Sequence, residues 1–193
     1  MAFPDWDTDL FLLLNSLHTD FFDTLMWYAS ATRTWIPLYL LMLLWMYRKL
    51  GWRRFLLMAL GLALCVLLAD RISSGVFKPL FARLRPTHAL GDMVHVVREY
   101  RGGRYGFLSS HAANMFAIAV YSLLVMRRTY FTVFMLIFAL FVSYTRIYLG
   151  VHYPLDIICG GLLGAGIGWG VATLYQLAKK LPPKAIKAKT PIT

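Results

Sequence analysis

Charged residues are scarce in this chain. Only 15% of its 193 residues are Asp, Glu, Lys or Arg, whereas a soluble domain carries about 25%. Acidic residues are fewest, with nine Asp and Glu against twenty Lys and Arg. Cysteine is nearly absent: Cys65 and Cys159 are the whole supply, and both fall in apolar runs. That excludes a disulfide framework and a thiolate metal cluster. No basic start or small-residue cleavage site stands at Met1 to Asp7, so a removable signal peptide is not expected. No internal repeat is visible. The basic residues form no continuous surface with a reading element, so nucleic acid is excluded as a partner.

What fills the chain is apolar surface. Hydrophobic residues make up 59%, and six tryptophans suit membrane interfaces. The composition predicts an all-α, polytopic membrane helical bundle, a single domain over residues 1–193. Apolar runs lie at Trp35–Tyr47, Phe55–Phe77, Ala112–Met126, Tyr130–Tyr144 and Leu155–Leu177. These are read as five spans, the first starting earlier than Trp35. Residues 1–31 carry Asp9, Asn15, His18, Asp20 and Asp23 among apolar neighbours. They are expected to form interfacial or partly inserted helices, with a sixth span as the alternative. Residues 181–193, with three lysines and three prolines, read as a basic disordered tail near anionic lipid.

The cations are distributed unevenly. Eleven lie at Arg48, Lys49, Arg53, Arg54, Arg127, Arg128, Lys179, Lys180, Lys184, Lys187 and Lys189, with no acidic residue among them. Under the positive-inside rule these segments and the C-terminus face the cytoplasm. Segments 78–108 and 145–154 then share the extracytoplasmic face, and the polar segment Thr87–Phe107 can cover whatever lies there. Small residues recur in the last run at Gly160, Gly161, Gly164, Gly166, Gly168 and Gly170. Such spacing lets helices approach closely in lipid.

Three pieces at the edges of the apolar runs carry chemistry. Lys78 and Arg85, followed by Pro86, can face one way and grip a phosphate, with Arg146 as a third cation from a distant segment. Arg83 is expected only to anchor lipid headgroups. Ser109 and Ser110 stand at a helix start, where free N–H groups favour an anion, and put His111 in the first turn. His152 precedes Asp156 by four residues. A carboxylate on one ring nitrogen fixes the tautomer and frees the other to attack, so His152 is the better nucleophile and His111 the better proton donor. Two distant histidines and one Asp are too few for a metal site, and no cofactor is expected.

Read together, these pieces resemble the signature of the type 2 phosphatidic acid phosphatase family, KxxxxxxRP, PSGH and SRxxxxxHxxxD. Lys78, Arg85 and Pro86 match the first; Ser109 and His111 match the second, with Leu108 for its Pro and Ser110 for its Gly. Arg146, His152 and Asp156 match the third, with Thr145 for its Ser. The resemblance, covering roughly residues 55–177, implies a metal-independent phosphatase with a phosphohistidine on His152. It implies His111 as acid, Asp156 as orienter, and Lys78, Arg85, Ser109 and Arg146 around the phosphate.

The expected function is removal of phosphate from a membrane lipid in a bacterial inner membrane. Undecaprenyl pyrophosphate is favoured, because Phe77, Phe81, Leu84 and Phe107 offer a chain contact but few groups to read a larger headgroup. Phosphatidylglycerol phosphate, phosphatidic acid and lipid A are the alternatives, although Arg98, Arg101 and Arg104 can meet a larger anion. The alternative of another class is a non-catalytic anion or lipid carrier, which has no use for a His152–Asp156 pair.

Overall fold

A computed structural model describes residues 3–180. The basic tail lies outside these residues. Two short helices come first, α1 (Asp5–Asn15) and α2 (Asp20–Ser30). Then follow α3 (Ile36–Leu50) and α4 (Trp52–Ile72), which continues through a π turn, Ser73–Phe77, into α5 (Lys78–Phe81). A short α6 (Pro86–Ala89) opens the polar segment. Three helices complete the described residues: α7 (Ser110–Met126), α8 (Thr129–Tyr148) and α9 (Pro154–Lys180).

The five apolar runs of the sequence coincide with α3, α4, α7, α8 and α9. Among the described residues, three stretches are long and apolar enough to cross a membrane unaided: Trp52–Phe81, Thr129–Tyr148 and Pro154–Lys179. Helix α7 is equally apolar but has 17 residues. Helices α1 and α2 have 11 residues each, about 16 Å at helical rise, and cannot cross a hydrocarbon layer of roughly 30 Å. They lie against α8 and α9 at one end of the bundle. Outward-facing Leu60, Leu67, Ile137, Leu140, Leu162 and Trp169 are exposed. A surface so apolar belongs in lipid, where it costs nothing.

Inside the bundle, Met46, Met58, Cys65, Tyr121 and Met135 form one core. Tyr121 is wholly buried and donates to the Met58 carbonyl at 3.3 Å. Cys65 is fully buried there, a small apolar filler.

Helices α7 and α9 make the closest contact. A Cβ added at Gly160, Gly164 or Gly168 would lie 2.6, 2.1 or 2.5 Å from the carbonyl oxygens of Ser109, Ala113 and Ala117. Every fourth residue of α9 therefore touches the backbone of α7. Gly166 and Gly170 meet nothing within 4 Å, so only part of the glycine-rich run is required by packing. Gly164→Val is expected to prevent recovery of folded protein, whereas Gly166→Ala should purify normally. Monodisperse elution in detergent is the measurement, and a well-behaved Gly164→Val protein would contradict the close packing. Because α9 carries Asp156 and α7 carries His111, this contact also sets the spacing of the candidate site.

Candidate active site

The candidate residues meet at the end of the bundle where α5, α7 and α9 begin or end. The basic segments 48–54, 127–128 and 179–180 sit at the opposite helix ends. Pro154 occupies the first turn of α9, so His152 lies just outside the helix and Asp156 in its first turn. His152 Nδ1 is 3.3 Å from Asp156 Oδ2, leaving Nε2 as the free nitrogen. Both residues are almost fully buried. Burial is the largest cause holding the His152 imidazole well below its usual range, and the charges of Arg85, Arg146 and Lys78 add to it. The ring is therefore neutral, as an attacking nitrogen must be. The same three cations are also the charged neighbours of His111.

The polar segment holds Arg85 in place. Its Nε donates to the Tyr105 carbonyl at 3.3 Å and its Nη1 to the Val151 carbonyl at 3.4 Å. The segment is pinned by Arg85 N–H to Arg104 O and Gly106 N–H to Arg83 O. Gly106 passes directly over the His–Asp pair: a Cβ there would stand 3.0 Å from Asp156 Oδ2 and 3.2 Å from Arg85 Cγ. Arg146 is buried; its guanidinium donates to Ser30 Oγ and reaches Tyr100 Oη at 3.5 Å. Its Nε has no partner among the described residues. A buried, unpaired guanidinium nitrogen is costly unless an anion completes it.

Ser110 holds the position where the family pattern has glycine, and the structure explains how serine is accommodated. It is the first residue of α7, in ordinary helical conformation. Its hydroxyl collects three partners: Ser73 Oγ at 2.8 Å, Ser74 Oγ at 3.0 Å and Lys78 Nζ at 3.0 Å. The π turn brings Ser73 and Ser74 to it, a local widening often found at functional sites. Ser110 thus positions the Lys78 ammonium. Ser109 is fully buried, and its hydroxyl caps its own helix at Ala112 N–H. Its N–H donates to the Asp156 carbonyl, joining α7 to α9. As placed here, Ser109 is a cap first; the N–H groups of Ser110 and His111 are the first-turn donors left for an anion.

Arg83 departs from its expected role. It is no headgroup anchor. Buried, it donates through Nη1 to Asp156 Oδ1 at 2.9 Å and through Nη2 to Asp7 Oδ2 at 2.6 Å. The rings of Phe3 and Tyr153 lie 3.9 and 3.8 Å from its guanidinium carbon. Asp7, on α1, also accepts from the Leu155 N–H at 2.7 Å. The chain Asp7–Arg83–Asp156–His152 runs from the N-terminal helix to the candidate nucleophile. Spacing alone held no signal for Asp7, although a buried carboxylate among apolar residues always needs a partner.

Asn15 does similar work nearby, donating to the Tyr148 carbonyl at 2.9 Å and accepting from the His95 N–H at 2.8 Å. Among the described residues no group of three or more His, Cys, Asp or Glu converges as a metal site requires. Arg98, Arg101 and Arg104 are exposed on the polar segment. Phe107 is buried in an aromatic cluster with Phe3 and Phe81 and cannot contact a lipid chain as expected.

This arrangement resembles known proteins at every level compared. The sequence model of the PAP2 superfamily matches residues 54–180. A lipid A 4'-phosphatase of Bacteroides thetaiotaomicron is 34% identical over 191 residues, covering 97% of this chain and 83% of that protein. Its namesake in Porphyromonas gingivalis is 35% identical over 175 residues, 90% of this chain and 74% of the other. An undecaprenyl-diphosphatase of Sulfolobus acidocaldarius is 30% identical over 168 residues, 85% and 76% respectively. Among solved structures, a transmembrane PAP2-type phosphatidylglycerolphosphate phosphatase from Bacillus subtilis superposes with a TM-score of 0.66 at 19% identity. That match covers 92% of this chain and 88% of the other; at such identity it shows the fold alone.

Proposed function

The chain belongs to the PAP2 superfamily of membrane lipid phosphatases, and from that premise we propose that it removes a phosphate from lipid A or a closely similar acylated glycolipid. The reaction is supported by one observation: a buried, carboxylate-bound His152 with Lys78, Arg85 and Arg146 as its neighbouring cations. His152 Nε2 attacks phosphorus, and the bond to the lipid oxygen breaks. His111 gives its proton to that oxygen. Water then attacks the phosphohistidine with His111 as base, the P–N bond breaks, and inorganic phosphate leaves. The three cations hold the equatorial oxygens, supplying the positive charge a metal would otherwise bring. Asp156 fixes the tautomer of His152 and balances the charge the ring acquires. A carrier needs none of this pairing.

The substrate preference differs from the one drawn from sequence. Undecaprenyl pyrophosphate becomes the second reading, supported by the Sulfolobus relative. Lipid A is favoured by the two relatives that align with 90% or more of the chain. Exposed Arg98, Arg101 and Arg104 give a larger anionic headgroup something to meet. The clustering of cations at the opposite helix ends supports a site on the extracytoplasmic face.

Phosphate release from lipid A, undecaprenyl pyrophosphate, phosphatidylglycerol phosphate and phosphatidic acid in one detergent tests this reading. Lipid A is expected to show the highest kcat/KM, with activity surviving excess chelator. Preference for undecaprenyl pyrophosphate would overturn the substrate and leave the chemistry standing. Loss of activity in chelator, restored by one divalent ion, would overturn the metal-free mechanism.

A further inference from the structure

Beneath His111 a cavity of about 1100 Å³ opens between α3, α4, α7 and α8. Most of its wall is apolar, but Asp70 and Arg71 of α4 line it below Ser74 and Ser110. Both lie inside Trp52–Phe81, a stretch long and apolar enough to span a membrane. Ionisable residues within such stretches are costly, and they mark places where something polar is met. Asp70 is exposed. None of the four ion pairs among the described residues includes it, although Arg71 is its neighbour in sequence. Ser73 bonds only its backbone carbonyl. The carboxylate therefore stands in the cavity wall with its acceptors unspent.

Its position relative to the phosphate grip is fixed by the helix it shares with Lys78. Asp70, Ser74 and Lys78 recur every four residues from α4 through the π turn into α5. Ser74 Oγ lies 3.4 Å from Lys78 Nζ, and Asp70 is among the charged neighbours of Lys78. The three make a polar stripe that descends from the phosphate level by on the order of 10 Å. Phosphate itself is no partner for Asp70, because the two charges have the same sign. A metal ion needs more ligands than the described residues bring together there. Proton exchange with His111 fits poorly, since the charges that bear most on that ring are Arg146, Arg85 and Lys78. What suits an unspent carboxylate at this depth is a neutral donor that arrives with the substrate.

We propose that Asp70 determines headgroup specificity: its carboxylate accepts a hydrogen bond from a hydroxyl or amide N–H on the sugar that carries the phosphate. This rests on the lipid phosphatase reading and narrows it. A glycolipid has such donors within a few bonds of its phosphate. A polyprenyl pyrophosphate has none, and its second phosphate would meet Asp70 as a like charge. The same residue thus attracts one class of substrate and repels the other.

The test uses two synthetic glycolipid monophosphates with the same acyl chains. One keeps the free hydroxyls and amide N–H of its phosphate-bearing sugar. The other is deoxy at those hydroxyls and ester-linked in place of the amide. The unaltered protein is expected to prefer the first by about tenfold or more in kcat/KM, the scale of one hydrogen bond to a charged acceptor. Asp70→Leu should lose most of that preference, chiefly through a higher KM for the first probe. Asp70→Asn, which keeps an acceptor without the charge, should fall between the two and serves as the second variant if the first does not purify. Without substrate, Asp70→Leu should melt no lower than the unaltered protein, because the carboxylate has no partner to lose. Equal use of both probes by the unaltered protein overturns the inference, as does an unchanged preference in the variants. A lower melting temperature for Asp70→Leu, or an equal fall in kcat on both probes, also overturns it, since either gives the carboxylate a structural or catalytic role instead. Failure of the unaltered protein to cleave either probe would overturn the phosphatase reading beneath it.

Discussion

Purified His152→Ala is expected to release no measurable phosphate, a loss on the order of 10⁴-fold or more, as when a nucleophile is removed from a preorganised site. In the proposed mechanism the ring forms the covalent intermediate, and the Asp156 carboxylate holds it. A phosphoryl group from labelled substrate should remain on the unaltered protein when it is denatured in alkali, and should be missing from His152→Ala. His111→Ala should slow both steps, because in the proposed mechanism the same ring protonates the leaving oxygen and then activates water. The pH profile has a definite sign. Burial and the neighbouring cations lower the His152 pKa, so the free ring stays neutral as pH falls. With the substrate's own ionisation subtracted, the acid limb of kcat/KM should therefore lie below the ordinary imidazole value of about 6.5. Near-normal turnover by a folded His152→Ala protein would remove this residue from the mechanism.

The second large effect is expected at a residue 76 positions from its partner. Arg83 bridges Asp7 and Asp156, and all three are buried. Arg83→Leu would strand two carboxylates without a counter-charge, a cost of about 3–5 kcal/mol by comparison with other broken buried pairs. Little folded protein is expected from it. Asp7→Asn is the informative change. It retains the shape and an acceptor for the Leu155 N–H, but removes the charge that holds Arg83 against Asp156. The variant should fold, with kcat lowered about tenfold or more and KM little changed, because Asp7 touches no substrate. An Asp7→Asn protein with full kcat would show that Arg83 and Asp156 hold their geometry without the N-terminal helix.

Much of this site was readable from residue order. His152 and Asp156 are four apart beside a proline, and His111 follows a serine cap, so local rules were enough to expect the His152–Asp156 contact and the Ser109 cap. Helix boundaries followed the apolar runs for the same reason, since a period and a cap depend only on neighbours. Arg83 was misread because nothing within several residues of it carries a negative charge; its partners come from α1 and α9. The tolerance of Ser110 was hidden too, because the hydroxyl that matters bonds to Ser73 and Ser74 across 37 and 36 positions.

Composition and short-range spacing thus made the chain an all-helical membrane protein with a His–Asp pair. Packing alone decided that the N-terminal helix braces the carboxylate, which glycines of α9 are required, and where an apolar chamber opens below His111. Those features arise where side chains distant in sequence share one volume. Their energies depend on burial and mutual distance, which no periodicity along the chain encodes.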